Sequence, residues 1–157
     1  MTRKTKRLCK GALAGLAGGL AGSIALTQFQ NLWTRLAPPS GGSHGDPATV
    51  KAARSLFPFP ENRKKAAGNL LHYSFGTLNG AAYGAAAEVS PSVAACRGTL
   101  FGATLFAVAD EALVPAFGWS KPPNAYPLSA HVYGFASHLV DGAATDAVRR
   151  MVRHVIR

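Results

Sequence analysis

Apolar residues gather in four long runs, Gly11 to Trp33, Ala66 to Ala87, Val93 to Phe117 and Pro127 to Val148, separated by polar connections. Each run is about the length a helix needs to cross a bilayer, ~20 residues. A soluble amphipathic helix would carry charges every turn along one face. Here the acidic and basic side chains sit mainly in the termini and connections. The pattern predicts an all-α protein, a polytopic transmembrane four-helix bundle of one domain over residues 1–157, passing up, down, up and down.

The first run is the clearest, with no ionisable side chain from Gly11 to Thr27, a basic Arg3 to Arg7 segment before it and Trp33 at its end. Those flanks suit a spanning helix. A cleaved secretory signal fits less well, because no A-x-A site follows and Cys9 precedes the apolar stretch. A retained signal-anchor is expected. The second and fourth runs carry His and Asp, and a central Asp costs ~2.5–3.5 kcal/mol on insertion scales, so both must pack against neighbours. Mean hydropathy is only +0.09, which a soluble helical protein would also show. The separation of charge favours the membrane.

The one long connection opens with Pro38 to Ser43, a helix stop and turn. Asp46-Pro47 then reads as an N-cap with Pro at the first helical position, starting a short amphipathic helix over residues 46–57. Val50, Ala53, Leu56 and Phe57 fall on one face, expected to lie on the membrane surface. A docking arm for a partner protein is the alternative.

Glycine recurs every fourth residue at Gly11, Gly15 and Gly19, with Gly18 and Gly22 on an adjoining track; Gly76, Gly80 and Gly84 repeat the spacing, as do Gly98 and Gly102. Such glycine-zipper stripes let helices approach closely where no hydrophobic effect drives association. Packing within the chain is the first expectation. Two stripes on one helix also leave room for a homo-oligomer or a larger membrane complex.

A net charge of +10 would suggest nucleic acid in a soluble protein. The basic residues, however, fall in three blocks, Arg3 to Lys10, Lys51 to Lys65 and Arg149 to Arg157, with no aromatic stacking surface among them. Nucleic acid is not expected as a partner; the lipid bilayer is. Terminal blocks of this kind set topology, placing both termini in the cytoplasm of a multi-pass inner-membrane protein. The Lys51 to Lys65 block opposes that orientation. Glu88, Arg97, Asp146, Arg149 and Arg150 fall at span ends and read as anchors.

Polar side chains inside the runs share one half of the membrane: Gln28, Gln30 and Asn31 late in the first, His72 early in the second, Asp110 and Glu111 late in the third, His131 early in the fourth, with Gln28 expected to join the His and carboxylate layer. Intramembrane ionisable groups mark ion or proton paths, ligand sites or structural locks. His138 follows His131 by seven residues, two helical turns, with only ~20° of drift, and Asp141 and Thr145 continue the stripe. As chemistry, that stripe suits a proton relay; as structure, it suits polar glue between helices. Zn²⁺ would suit His and carboxylate, though no local H-x-x-x-H or E-x-x-H pair fixes two ligands. Haem ligation by His72 with His131 or His138 is a third option with no motif behind it.

No nucleophile elbow, phosphate loop, zinc-protease or dinucleotide signature occurs, so no enzyme is expected. Cys9 and Cys96 do not make a disulfide framework. The series His72 to Gly76, Gly80 to Gly84, Glu88, Asp110-Glu111 with Pro115, Pro122-Pro123, His131, and His138 through Gly142 to Arg150 resembles the YagU-like family of bacterial inner-membrane proteins. The resemblance implies a polytopic inner-membrane protein without an established biochemical activity. Asp141 departs from it, standing where an aromatic residue is expected.

Overall fold

The computed structural model describes residues 1–37 and 45–156, and every regular element among them is helical. The turn expected at Pro38 to Ser43 lies outside the described residues. Helix α1 spans Arg3–Leu36, its N-cap Thr2 accepting a hydrogen bond from the Thr5 amide. Helix α2 spans Ala48–Leu56, and a 3₁₀ turn at Glu61–Arg63 leads into α3, Lys64–Val89. Helix α4 covers residues 99–116: an α-helical Thr99–Leu105, a π-helical Phe106–Leu113 and a last turn Val114–Ala116. Helix α5 spans Leu128–Val155.

Three local expectations need correction. Asp46 does not cap α2; the helix begins after Pro47, and the Asp46 carboxylate pairs with Lys64 at 3.0 Å and Arg54 at 3.3 Å. The apolar face of α2 does not stay together at a surface, because Val50, Ala52 and Ala53 are buried on α3, where Gly68 makes room for Val50, while Leu56 and Phe57 are exposed. The third run is not helical from Val93: Pro91–Gly98 is a 3₁₀ segment broken by left-handed backbone at Cys96, Arg97 and Gly98. Gly98, at φ +83°, there meets Gly142, so a Cβ would be blocked twice over, by conformation and by contact.

Helix α1 runs antiparallel to both α3 and α5, and α5 antiparallel to α4. The contacts are backbone to backbone. A Cβ on Gly11, Gly15 or Gly19 would collide with the carbonyls of Gly84, Gly80 or Gly76, and a Cβ on Gly18 or Gly22 would collide with Thr145. Gly98 and Gly102 meet Gly142 and His138 in the same way. Both stripes of α1 are therefore filled from within the chain.

The interior inverts the usual distribution of side chains. Its buried polar members are Ser23, Ser137, His138, Asp141, Thr145, Asp146 and Arg149, alongside glycine and alanine. Leu13, Leu20, Ile24, Leu70, Leu78 and Leu100, by contrast, point outward. Helix α1 and the Pro91–Ala116 stretch are each long and apolar enough to cross a membrane.

A side chain at a glycine crossing cannot be relieved by a rotamer change. Gly80→Val is expected to cost up to about 3 kcal/mol, the upper end for overpacking, read as a lowered unfolding midpoint in detergent. Gly45→Ala, with nothing within 4 Å of the added methyl, leaves that midpoint unchanged.

Candidate functional site

Pro115 has no amide hydrogen to give the Glu111 carbonyl, and the turns before it widen into the π-helical segment that carries Asp110 and Glu111. Facing them on α5 are His131 and His138, about 10 Å apart along the axis at 1.5 Å per residue. The adjacent carboxylates divide this span. Glu111 Oε1 lies 2.8 Å from His131 Nδ1, and Asp110 Oδ2 lies 3.8 Å from His138 Nδ1.

Hydrogen-bond accounting fixes the roles. His131 Nε2 is 3.1 Å from the Pro123 carbonyl, which only accepts, so that nitrogen is the donor. The proton between Nδ1 and Glu111 is then the exchangeable one: the pair is imidazolium and carboxylate, or neutral imidazole and carboxylic acid. His138 Nδ1 donates to the Gly134 carbonyl at 2.9 Å, which leaves Nε2 as its basic nitrogen. His72 Nε2 is 3.3 Å from Thr27 Oγ1, whose own hydrogen goes to the Ser23 carbonyl, so His72 donates there.

Below His138 the column continues into the α1 crossing. Asp141 is 4% exposed, and Thr145 is fully buried with a hydroxyl that has no hydrogen-bond partner. Both face Gly22, where a Cβ would strike Thr145 Oγ1 and come to 2.5 Å from Asp141 Oδ1. Next is Asp146, 1% exposed, accepting from Tyr83 Oη at 2.9 Å, Arg149 Nε at 3.0 Å and Arg150 Nε at 2.6 Å. From His131 to Asp146 the stripe rises about 22 Å along α5.

Of the residues singled out in the sequence, His131 with Glu111 and His138 with Asp110 are brought together, and His72 is tied to α1 beside them. Gln28 is not: its side chain is exposed, and Gln30 instead lines the cavity of about 240 Å³ bordered by Asp110, Glu111, Lys121 and His131. Two residues along a helix is a 200° turn, enough to reverse the face. Asp146 and Arg149 were read as interfacial anchors, yet both are buried. The i, i+3 and i, i+4 spacing of Arg149 and Arg150 after Asp146 was a visible signal; the partner Tyr83 was not. Among the described residues no group of three or more His, Cys, Asp or Glu is placed to hold a metal ion.

At the end holding both termini, Glu88 accepts from Arg153 at 2.6 and 3.2 Å and faces Arg7 at 3.5 Å. The Arg153 hydrogen bonds, helped by Arg7, hold the Glu88 carboxyl below its usual range. A depressed folded value means the pair's stability is fully present above pH 4.5, the ordinary value, and is lost as pH falls below it through the lower folded value. The melting temperature in detergent is expected to drop on acidification in that window, and Glu88→Gln to flatten the drop. Asp146→Asn strands the buried Arg149 guanidinium, an expected loss of about 3 kcal/mol, the lower end for a broken buried pair, by equilibrium unfolding.

Comparison with known proteins returns one family model, described as "Protein of unknown function (DUF1440)", matching residues 43–147. No curated protein and no solved structure matches. The matched region takes in α2, α3, α4 and most of α5, hence every histidine and carboxylate of the column, and covers about two thirds of the chain. On that match the chain belongs to the DUF1440 family.

Proposed function

We propose that the chain is a four-span integral protein of the bacterial inner membrane, of YagU-like type, whose α5 carries protons through a buried column of imidazoles, carboxylates and hydroxyls. Helices α1, α3, α4 and α5 are the spans, and α2 lies across the end opposite the termini. Support for the membrane comes from the inverted packing: glycine and polar groups inside, leucine outside, with helices held by backbone contact of glycine-zipper type as lipid requires. The terminal end, rich in Lys and Arg, faces the cytoplasm.

One observation carries the proton reading. His131, His138, Asp141 and Thr145 follow one another down one side of α5, each against another helix or its own turn, and Asp146 lies about 100° further round at the end of the row. A proton fits this donor set better than a metal ion, which needs three or more convergent ligands. Haem ligation gains nothing from His131, whose two ring nitrogens are both engaged. We read the protein as a non-enzyme, in keeping with a sequence that carries no nucleophile elbow, phosphate loop, zinc-protease or dinucleotide signature.

A second reading has its own support: Asp146 is fully satisfied by Tyr83 and two arginines, as in a structural lock. On that reading the protein is an accessory subunit of a larger membrane complex and the column only fixes the fold.

Proteoliposomes with an entrapped pH dye separate the two. The wild type is expected to collapse an imposed pH gradient, with Asp141→Asn and His138→Ala slowing it at least tenfold and Gln28→Ala leaving it unchanged. A wild type no faster than empty vesicles, or variants that differ only in stability, would leave the structural lock.

A further inference from the structure

The column leaves unused a group of arginines at the terminal end. Arg149, Arg150 and Arg153, with Glu88 and His154, wall an open recess of about 390 Å³, and Arg7 of α1 reaches Glu88 from the side. Among the described residues the charges in it do not balance: four guanidiniums, of Arg7, Arg149, Arg150 and Arg153, face two carboxylates, of Glu88 and Asp146. Both oxygens of Asp146 are occupied, by Tyr83 and Arg149 on one side and Arg150 on the other. Both oxygens of Glu88 are occupied as well, by Arg153.

A guanidinium has five N–H donors. Arg149 and Arg153 each direct two nitrogens at a carboxylate, and Arg150 directs one at Asp146 and one at the Ala94 carbonyl, so donors remain on all three. Arg150 is also 52% exposed. The carboxylates thus hold the forks in place without neutralising them. The C-terminus of α5 adds only about −0.5 charge, short of the surplus. What fits is an anion with several acceptor oxygens, which arginine forks bind in bidentate fashion.

We propose that this recess binds the phosphodiester of an anionic phospholipid headgroup. The case for lipid over free phosphate is depth: the recess sits where the proposed spans α3 and α5 end, and at that level Val89 on α3 and Met151 and Val155, on another side of α5 from the arginines, are exposed at 62%, 69% and 81%. Acyl chains would cover these while the arginines take the phosphate. The site rests on the membrane-spanning part of the proposed function and is independent of the proton column.

The test places the full-length protein in nanodiscs of phosphatidylcholine with graded phosphatidylglycerol, and counts co-retained lipid by native mass spectrometry. The wild type is expected to retain phosphatidylglycerol at least tenfold over phosphatidylcholine. Arg150→Gln with Arg153→Gln should abolish that preference, and Arg150→Lys should keep part of it. Arg150→Gln alone, which leaves Asp146 held by Arg149 and Tyr83, carries the test if the double variant does not fold. Equal retention of the two lipids by the wild type, a preference that survives in the Gln variants, or saturable binding of inorganic phosphate without lipid preference would each overturn the site. A chain that never enters nanodiscs overturns it together with the membrane reading; normal entry and proton flux without lipid preference overturn the site alone.

Discussion

Where α1 meets α3, the carbonyl oxygens of Gly11, Gly15 and Gly80 occupy the space a neighbouring Cβ would need. That approach is closer than any leucine-lined interface allows, and it sets the positions of everything around it. The opposite face of α1 meets α5 on the same terms through Gly18 and Gly22. With α1 in contact on two sides, α5 is held so that its polar stripe faces helices. Dispersion between close-packed backbones supplies the attraction that leucine burial supplies in water.

The polar stripe depends on that contact and also constrains it. Asp141 and Thr145 lie directly against Gly22, so the α1 crossing seals the middle of the column. On the α4 side, loss of one hydrogen bond at Pro115 widens the helix where Asp110 and Glu111 must face two different histidines. At the terminal end, Asp146 holds two arginines and a tyrosine that itself stacks on Phe101 at 4.5 Å, linking α3, α4 and α5 through one carboxylate. Buried ionic groups of this kind are costly to break once formed.

Much of this was legible in the residues. The existence of the long helices followed from the apolar runs, though not the start of the third or the end of the fourth, and the glycine spacing marked faces that pack closely. That His131 shares a depth with the two carboxylates followed from the order of polar residues in the runs; that Asp110 faces His138, two turns further along, did not. What escaped the sequence depends on tertiary contact. The left-handed turn at Cys96 and Arg97 arises because Gly98 must reach Gly142, a partner distant in the chain. Ala52 joins Val50 and Ala53 against α3, which a helical wheel of α2 alone does not reveal. Asp146 looked interfacial because α5 was expected to end near Val148, whereas it continues to Val155 and carries the arginines that let an aspartate be buried. Gln28 and Gln30 were separable only by the rotation of α1, which its two glycine stripes do set.

The direct contact of α1 with α3 is the claim on which the rest stands, and it is measurable in cells. Thr27 and His72 lie across that interface with their side chains 3.3 Å apart. A chain carrying Thr27→Cys and His72→Cys, with Cys9 and Cys96 replaced by Ser, should form an intramolecular disulfide on mild oxidation, seen as a faster-migrating monomer that reverts on reduction. Disulfide-linked dimers without the monomer shift, or no cross-link at all, would contradict the packing described.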